Sequence, residues 1–298
     1  MILDSTKCDL KELQYLKSIK GSEWLSENLE LLKQNSIYPY ISIYFMEIGT
    51  MDLKKFIKMR CENNTLTFPE MLEIMFQIFH TLSVIQYMIP EYRHNDLKPN
   101  NLLVKVSGDN LKRDFNQFSL VDQFKNGSKT FYIPHRGYTA KIIDFDFNNS
   151  RKYKNSKLSG YQNTNFRYLG YSPQKNPVFD VHFILNFFYA SKDVWEKTIP
   201  EFKTFIKKVI PSDCLGYQNK YVEQNKLTAY YVNKKTNYIP PDLLTPTELI
   251  HFTKYFDQFL QQPEKTTVRK EYASPFKAIS SKLRQRSDMF NVFLRSPK

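Results

Sequence analysis

Residues 94–101, His-Asn-Asp-Leu-Lys-Pro-Asn-Asn, constrain this chain more than any other stretch. They form a polar turn between two apolar segments of different period. Upstream, residues 67–88 carry Leu72, Met75, Phe76, Phe79 and Leu82 at helical spacing. Thr67 and Glu70 fit a capping box there, with Pro69 in the first turn. Downstream, Leu102-Leu103-Val104-Lys105-Val106 reads as a strand, and residues 139–145, Thr-Ala-Lys-Ile-Ile-Asp-Phe, as a second.

The remaining chain shows no internal repeat and no low-complexity linker. Residues 9–34 have helical spacing in Leu10, Leu13, Leu16 and Ile19, with a break near Gly21-Ser22. Residues 36–48 are rich in aromatic and β-branched types and read as extended; Gly49-Thr50 ends them, and Met51 to Met59 starts a short helix. Gly108, Gly127, Pro134 and Gly137 punctuate residues 107–138, which read as an irregular or partly β insertion. Asp180 to Ala190 is apolar enough for a buried helix. Thr245-Pro246-Thr247-Glu248 opens another capped one, and Lys265 to Lys298 is a basic tail.

With 298 residues, 41% hydrophobic and 24% charged, the chain can bury a core as one domain or two lobes. No apolar run is long enough to span a bilayer, and Met1 to Lys20 lacks the apolar core of a secretory signal. Cys8, Cys61 and Cys214 form no CxxC pair, as in an intracellular protein with reduced thiols. The net charge of +13 favours acidic partners, yet the basic residues are dispersed. The densest group, Arg151 to Lys157, is short, and no nucleic-acid-binding module accompanies it. Abundant Asn, Lys, Ile, Tyr and Phe with 8 Gly fit an AT-rich coding genome, such as that of a large DNA virus or a protist.

The polar turn holds the residue types that phosphoryl transfer requires. An Asp can accept the proton of an acceptor hydroxyl, a Lys two residues on can meet the transferring group, and Asn and Asp oxygens suit Mg²⁺. His94 to Val104, followed by Ile143-Asp144-Phe145-Asp146, resembles the catalytic loop and metal-binding Asp of eukaryotic-type Ser/Thr protein kinases. The resemblance implies Asp96 as general base, Lys98 as phosphate contact, and Asn101 and Asp144 as Mg²⁺ ligands. His94 is then a packing residue. Phe45-Met46-Glu47-Ile48-Gly49 resembles the hinge between kinase lobes, with Glu47 and Ile48 offering backbone groups to ATP and Met46 guarding the back pocket. Asp180 resembles the buried Asp that anchors the catalytic loop. The likeness covers roughly residues 36–260, and only its middle is motif-specific.

The expected architecture is accordingly α+β and protein-kinase-like. Residues 1–48 would form a reduced β-containing N-lobe and 49–262 a mainly helical C-lobe with an insertion at about 107–138, leaving 263–298 as the basic tail. Four departures stand against the pattern. The glycines at 21, 49, 108, 127, 137, 160, 170 and 216 make no G-x-G-x-x-G, and no V-A-I-K-like strand supplies a phosphate-binding Lys. Glu12, Glu27 or Glu30 would be its ion-pair partner only if that Lys existed. A reduced small lobe, a gene start further upstream, or a degenerate copy would each account for this. Asn95 replaces the Arg that usually meets an activation-loop phosphate, and Asp146 replaces the Gly of Asp-Phe-Gly. No Ala-Pro-Glu follows the long insertion.

Three readings follow. The first is ATP- and Mg²⁺-dependent phosphorylation of Ser/Thr in an intracellular protein substrate, with acidic sequences among the candidates. The second is a small-molecule kinase of the aminoglycoside or choline phosphotransferase kind, which often carries an acidic residue where Asp146 stands but usually lacks Lys98. The third is a pseudokinase scaffold, which the missing glycine loop favours and the retained Asp96, Lys98, Asn101 and Asp144 oppose.

Overall fold

The computed structural model describes residues 6–7, 40–41, 49–106, 119–159, 171, 175–190, 196, 199–215 and 243–272. The chain divides into two units, residues 1–48 and 49–298. In the first, β1 (Thr6–Lys7) pairs antiparallel with β2 (Tyr40–Ile41), Thr6 opposite Ile41. The helix expected over residues 9–34 and the hinge residues Met46, Glu47 and Ile48 lie outside the described residues.

The second unit is organised around one long helix. β3 (Met51–Asp52) runs directly into α1 (Leu53–Glu62), whose first turn is capped by Asp52 accepting the Lys55 N–H at 2.8 Å. α2 spans Phe68–Met88, with Thr67 accepting the Glu70 N–H at 3.4 Å and Pro69 in the first turn. The second half of the expected capping box is not made. Glu70 is buried and sends its carboxylate to Arg60 (2.6 and 2.9 Å) and to the Tyr138 hydroxyl (3.0 Å). A buried carboxylate gains more from a guanidinium than from one backbone N–H.

Leu72, Met75, Phe76, Phe79 and Leu82 of α2 are fully buried, and so are Met71 and Ile74 on other faces. A helix that is apolar nearly all round must be covered on several sides. α5 (Pro246–Phe252) covers one side; its own capping box, Thr245 with Glu248, is complete. α3 (Phe179–Ala190) and α4 (Pro200–Val209) extend the core through Phe179, Phe183, Phe188, Phe202 and Phe205.

Two small sheets complete the described part of the unit. In the first, β3, β4 (Leu102–Val106) and β7 (Tyr138–Ile142) are antiparallel in the order β3-β4-β7, with Val104 opposite Met51 on one side and Ala140 on the other. At its edge Gly49 lies so close to Leu103 that an added Cβ would sit 2.7 Å from that side chain.

The second sheet is built from the insertion. β5 (Leu120–Asn126) and β6 (Lys129–Pro134) form a hairpin closed by Gly127-Ser128, with Gly127 at φ 62° supplying the left-handed first residue of a two-residue turn. The hairpin lies on α2: the Phe76 ring meets Phe124 at 5.4 Å and Phe131 at 4.9 Å, and Arg136 pairs with Glu73 at 2.6 and 2.8 Å. β8 (Thr267–Tyr272) pairs parallel with the other side of β5, and Arg269 forks onto Asp122 at 2.9 and 2.7 Å. The first residues of the basic tail are therefore sheet. The architecture is α+β with small sheets, and no described helix is long and apolar enough to cross a membrane.

Candidate active site

The turn after α2 is held from below before it presents anything. Arg93 exchanges two backbone hydrogen bonds with Asn149, both 2.8 Å. Asp180, in the first turn of α3, is fully buried and accepts the N–H of His94 at 2.8 Å and of Asn95 at 3.0 Å. Burial pushes the Asp180 carboxyl up from its ordinary range, against the pull of His94 and Arg93 and of the two N–H groups. The Arg93 guanidinium lies 3.8 Å above the Phe179 ring.

Two side chains tie the turn to the segment after β7. The His94 ring is fully buried, with Nε2 2.9 Å from the Ile143 carbonyl, so that nitrogen carries the proton. Asn95 has φ 70°, a left-handed value that Asn tolerates better than most residues, and its amide donates to the Phe147 carbonyl at 2.8 Å. Leu97 is fully buried and pins the middle of the turn.

Asp96, Lys98 and Asn101 are brought together by this scaffold. The Lys98 ammonium donates to Asp96 Oδ2 at 2.8 Å. Asn101, at the end of a short 3-10 turn over Pro99–Asn101, donates its amide to Asp96 Oδ2 at 2.8 Å and to the Asp96 carbonyl at 2.9 Å. The Tyr171 hydroxyl donates to Asp96 Oδ1. The Asp96 side chain is 4% exposed and that of Lys98 36%, so the cation reaches solvent while the carboxylate does not.

Asp144 lies beside this cluster through the backbone, since the Ile143 N–H donates to the Asn101 carbonyl at 3.0 Å. Its own conformation is left-handed (φ 62°, ψ 66°), and its exposed carboxylate has no hydrogen-bond or ion-pair partner among the described residues. Asn101 Oδ1 likewise meets no donor there, because its amide nitrogen makes both bonds to Asp96. Asp146 points elsewhere: it pairs with Lys157 at 2.7 Å, and its carbonyl accepts from Asn155 at 2.7 Å. The left-handed residue of Asp144-Phe145-Asp146 is the first, so the third needs no glycine.

Sequence reasoning missed Tyr171, and it missed Asn149 and Asn155, which brace the segment from 146 to 149. Tyr171 lies 75 residues from Asp96 in a stretch without a motif; no local signal points to it.

No family model matches the chain, and no solved structure matches it. Two curated proteins of Acanthamoeba polyphaga mimivirus do. The chain is 27% identical over 213 residues to "Putative serine/threonine-protein kinase R400", across 70% of this chain and 43% of that protein. It is 24% identical over 292 residues to "Putative serine/threonine-protein kinase R301", across 90% of this chain and 70% of that protein. The chain thus spans less than half the length of the first relative. These similarities amount to a distant kinase-like relationship.

Proposed function

We propose that this chain transfers the γ-phosphoryl group of ATP to Ser or Thr hydroxyls of a protein substrate, on a protein-kinase-like fold. The observation that carries the reading is the convergence of Lys98 and Asn101 on one oxygen of the buried Asp96 carboxylate. A base in this setting takes the acceptor proton while the neighbouring ammonium, which reaches solvent, meets the transferring phosphoryl group. The free oxygens of Asn101 and Asp144 are hard donors of the kind Mg²⁺ selects. Among the described residues no three His, Cys, Asp or Glu side chains gather as metal ligands. Mg²⁺ would therefore complete its shell with nucleotide phosphates and water, and would neutralise charge on the phosphates. Met46, Glu47 and Ile48 are assigned to the adenine by resemblance alone.

In this reading residues 1–48 are a reduced small lobe and the helical unit from residue 49 is the large lobe. The C-terminal segment from 263 is a basic tail whose β8 joins the insertion hairpin. Names of the two relatives support a protein acceptor and a viral setting. The exposed run Arg151, Lys152, Lys154 and Lys157, which follows Asp144 closely, favours acidic acceptor sequences.

A pseudokinase scaffold is the second reading, favoured by the lack of a glycine-rich loop and of a strand Lys. Two measurements separate them. Mg-ATP raises the thermal midpoint if the nucleotide site works; no shift removes the enzyme readings and leaves the scaffold. Where it binds, Asp96→Ala retains that shift and loses phosphotransfer by 10²-fold or more, the scale of a missing general base. An unchanged rate refutes the base assignment.

A further inference from the structure

Tyr171 is the one donor at Asp96 that the phosphotransfer reading leaves without a role. Lys98 and Asn101 converge on Oδ2, and among the described residues the Tyr171 hydroxyl alone meets Oδ1. An acceptor hydroxyl would have to donate to this carboxylate, and Oδ1 is the oxygen the positioning residues leave open. Yet the Asp96 side chain is 4% exposed and Tyr171 itself is 4% exposed. With the phenol in place, the Asp96 carboxylate is almost fully buried.

We propose that Tyr171 occupies the acceptor position of this site, standing in for the substrate hydroxyl, so that a substrate must displace its phenol to reach the base. The proposal rests on Asp96 being that base. Its ring is held independently of the hydroxyl, packing against Phe147 at 5.1 Å and Phe183 at 6.2 Å. Phe147 is also the residue whose carbonyl accepts from Asn95, one position before Asp96, so the ring leans on the same brace that orients the base. The bond works against catalysis because it occupies Oδ1 where the acceptor hydroxyl would donate. A protein whose competent state is a minority shows an apparent affinity reduced by that fraction. A phenol-carboxylate bond is strong enough to hold that fraction near one in ten.

Tyr171→Phe keeps the ring contacts and removes only the hydroxyl. With a serine peptide flanked by Asp and Glu as acceptor, the variant should show a peptide KM lowered about tenfold and an unchanged KM for Mg-ATP. A peptide KM that is unchanged or raised overturns the proposal and leaves the phosphotransfer reading standing. Absence of phosphotransfer from both wild type and variant, with Mg-ATP bound, defeats the base assignment and the proposal with it. A second measurement uses the wild-type full chain and needs no turnover. Acetylation of Tyr171 by N-acetylimidazole, read by mass spectrometry, should rise several-fold when the peptide saturates the site. Equal protection with and without peptide overturns the displacement.

Discussion

Replacing Asp180 with Asn tests whether the active turn is organised from beneath. The carboxylate accepts two backbone N–H groups, at 2.8 and 3.0 Å, in full burial. Charge-assisted bonds of this kind contribute about 1.5–3 kcal/mol each. In Asp180→Asn one oxygen remains and makes a neutral bond worth about 1 kcal/mol. The amide NH₂ must face the other N–H, which is lost outright. The Arg93 guanidinium also loses its buried counter-charge. Against these, the variant no longer holds a desolvated carboxylate, whose cost is visible in the raised pKa. The net is a loss of about 3 kcal/mol, from roughly 4–5 lost and 1–2 recovered. With an unfolding entropy of about 2.1 cal/mol/K per residue over 298 residues, that lowers the thermal midpoint by about 5 °C. On the proposed function, the sharper readout is phosphotransfer measured far below that midpoint, where the variant is folded. The bond from the Asn95 N–H to Asp180 supports its left-handed backbone, and Asp96 follows it directly. Phosphotransfer should therefore fall at least tenfold at 15 °C, a rise of about 1.4 kcal/mol in the barrier. A midpoint lowered as expected with an undiminished rate would refute the claim that Asp180 orients the base. An unchanged midpoint would refute the energetic account as well.

Acid should loosen the insertion hairpin through two histidines. His80 Nε2 lies 3.3 Å from the Lys125 carbonyl and His251 Nε2 3.0 Å from Asn126 Oδ1, and burial holds both rings down to about 4. Neutral rings are favoured in the folded state, so this stability is complete above the unfolded value near 6.5 and is lost as pH falls toward 4. At pH 5 each ring accounts for about 2 kcal/mol. Urea midpoints at pH 5 and 8 should therefore differ much less in the double variant His80→Gln, His251→Gln than in wild type, and an equal drop in both sinks the assignment. Arg136→Met should cost about 3–5 kcal/mol by leaving Glu73 buried without its guanidinium. Adding Glu73→Gln should recover much of that in chemical denaturation, and no recovery would mean that Arg136 acts through packing instead.

Elements specified by near neighbours were legible; those specified by distant ones were not. Thr245 and Glu248 form their capping box within four residues of sequence, from the cap hydroxyl and the Glu248 carboxylate. Thr67 and Glu70 have the same spacing, but Arg60 and Tyr138 take Glu70 into the core, and neither can be read from residues 67–70. β8 was hidden for another reason. Along Thr267–Tyr272 the side chains are mostly exposed and charged, so there is no apolar alternation to find. That strand is held by its backbone ladder to β5 and by Arg269 on Asp122, a partner 147 residues away.

The same division runs through the site and explains its departures from the family pattern. Asp96, Lys98 and Asn101 lie within six residues, so a short polar segment carries their whole geometry. Asp144 joins them through one backbone bond from Ile143 to Asn101, which the pairing of β4 with β7 dictates. Asn95 and Asp146 stand where kinase-type sequences carry an Arg and a Gly with specific tasks. Here the left-handed turn is at Asp144, so Asp146 is relieved of the demand that glycine usually meets and turns its carboxylate to Lys157. Asn95 is left-handed as well, and its short amide reaches the Phe147 carbonyl. An Arg at that position would be too long for that bond and less tolerant of φ 70°. Asn95 thus ties the turn to the Phe147 carbonyl, and the ring of that same Phe147 lies 5.1 Å from the ring of Tyr171, whose hydroxyl meets Asp96.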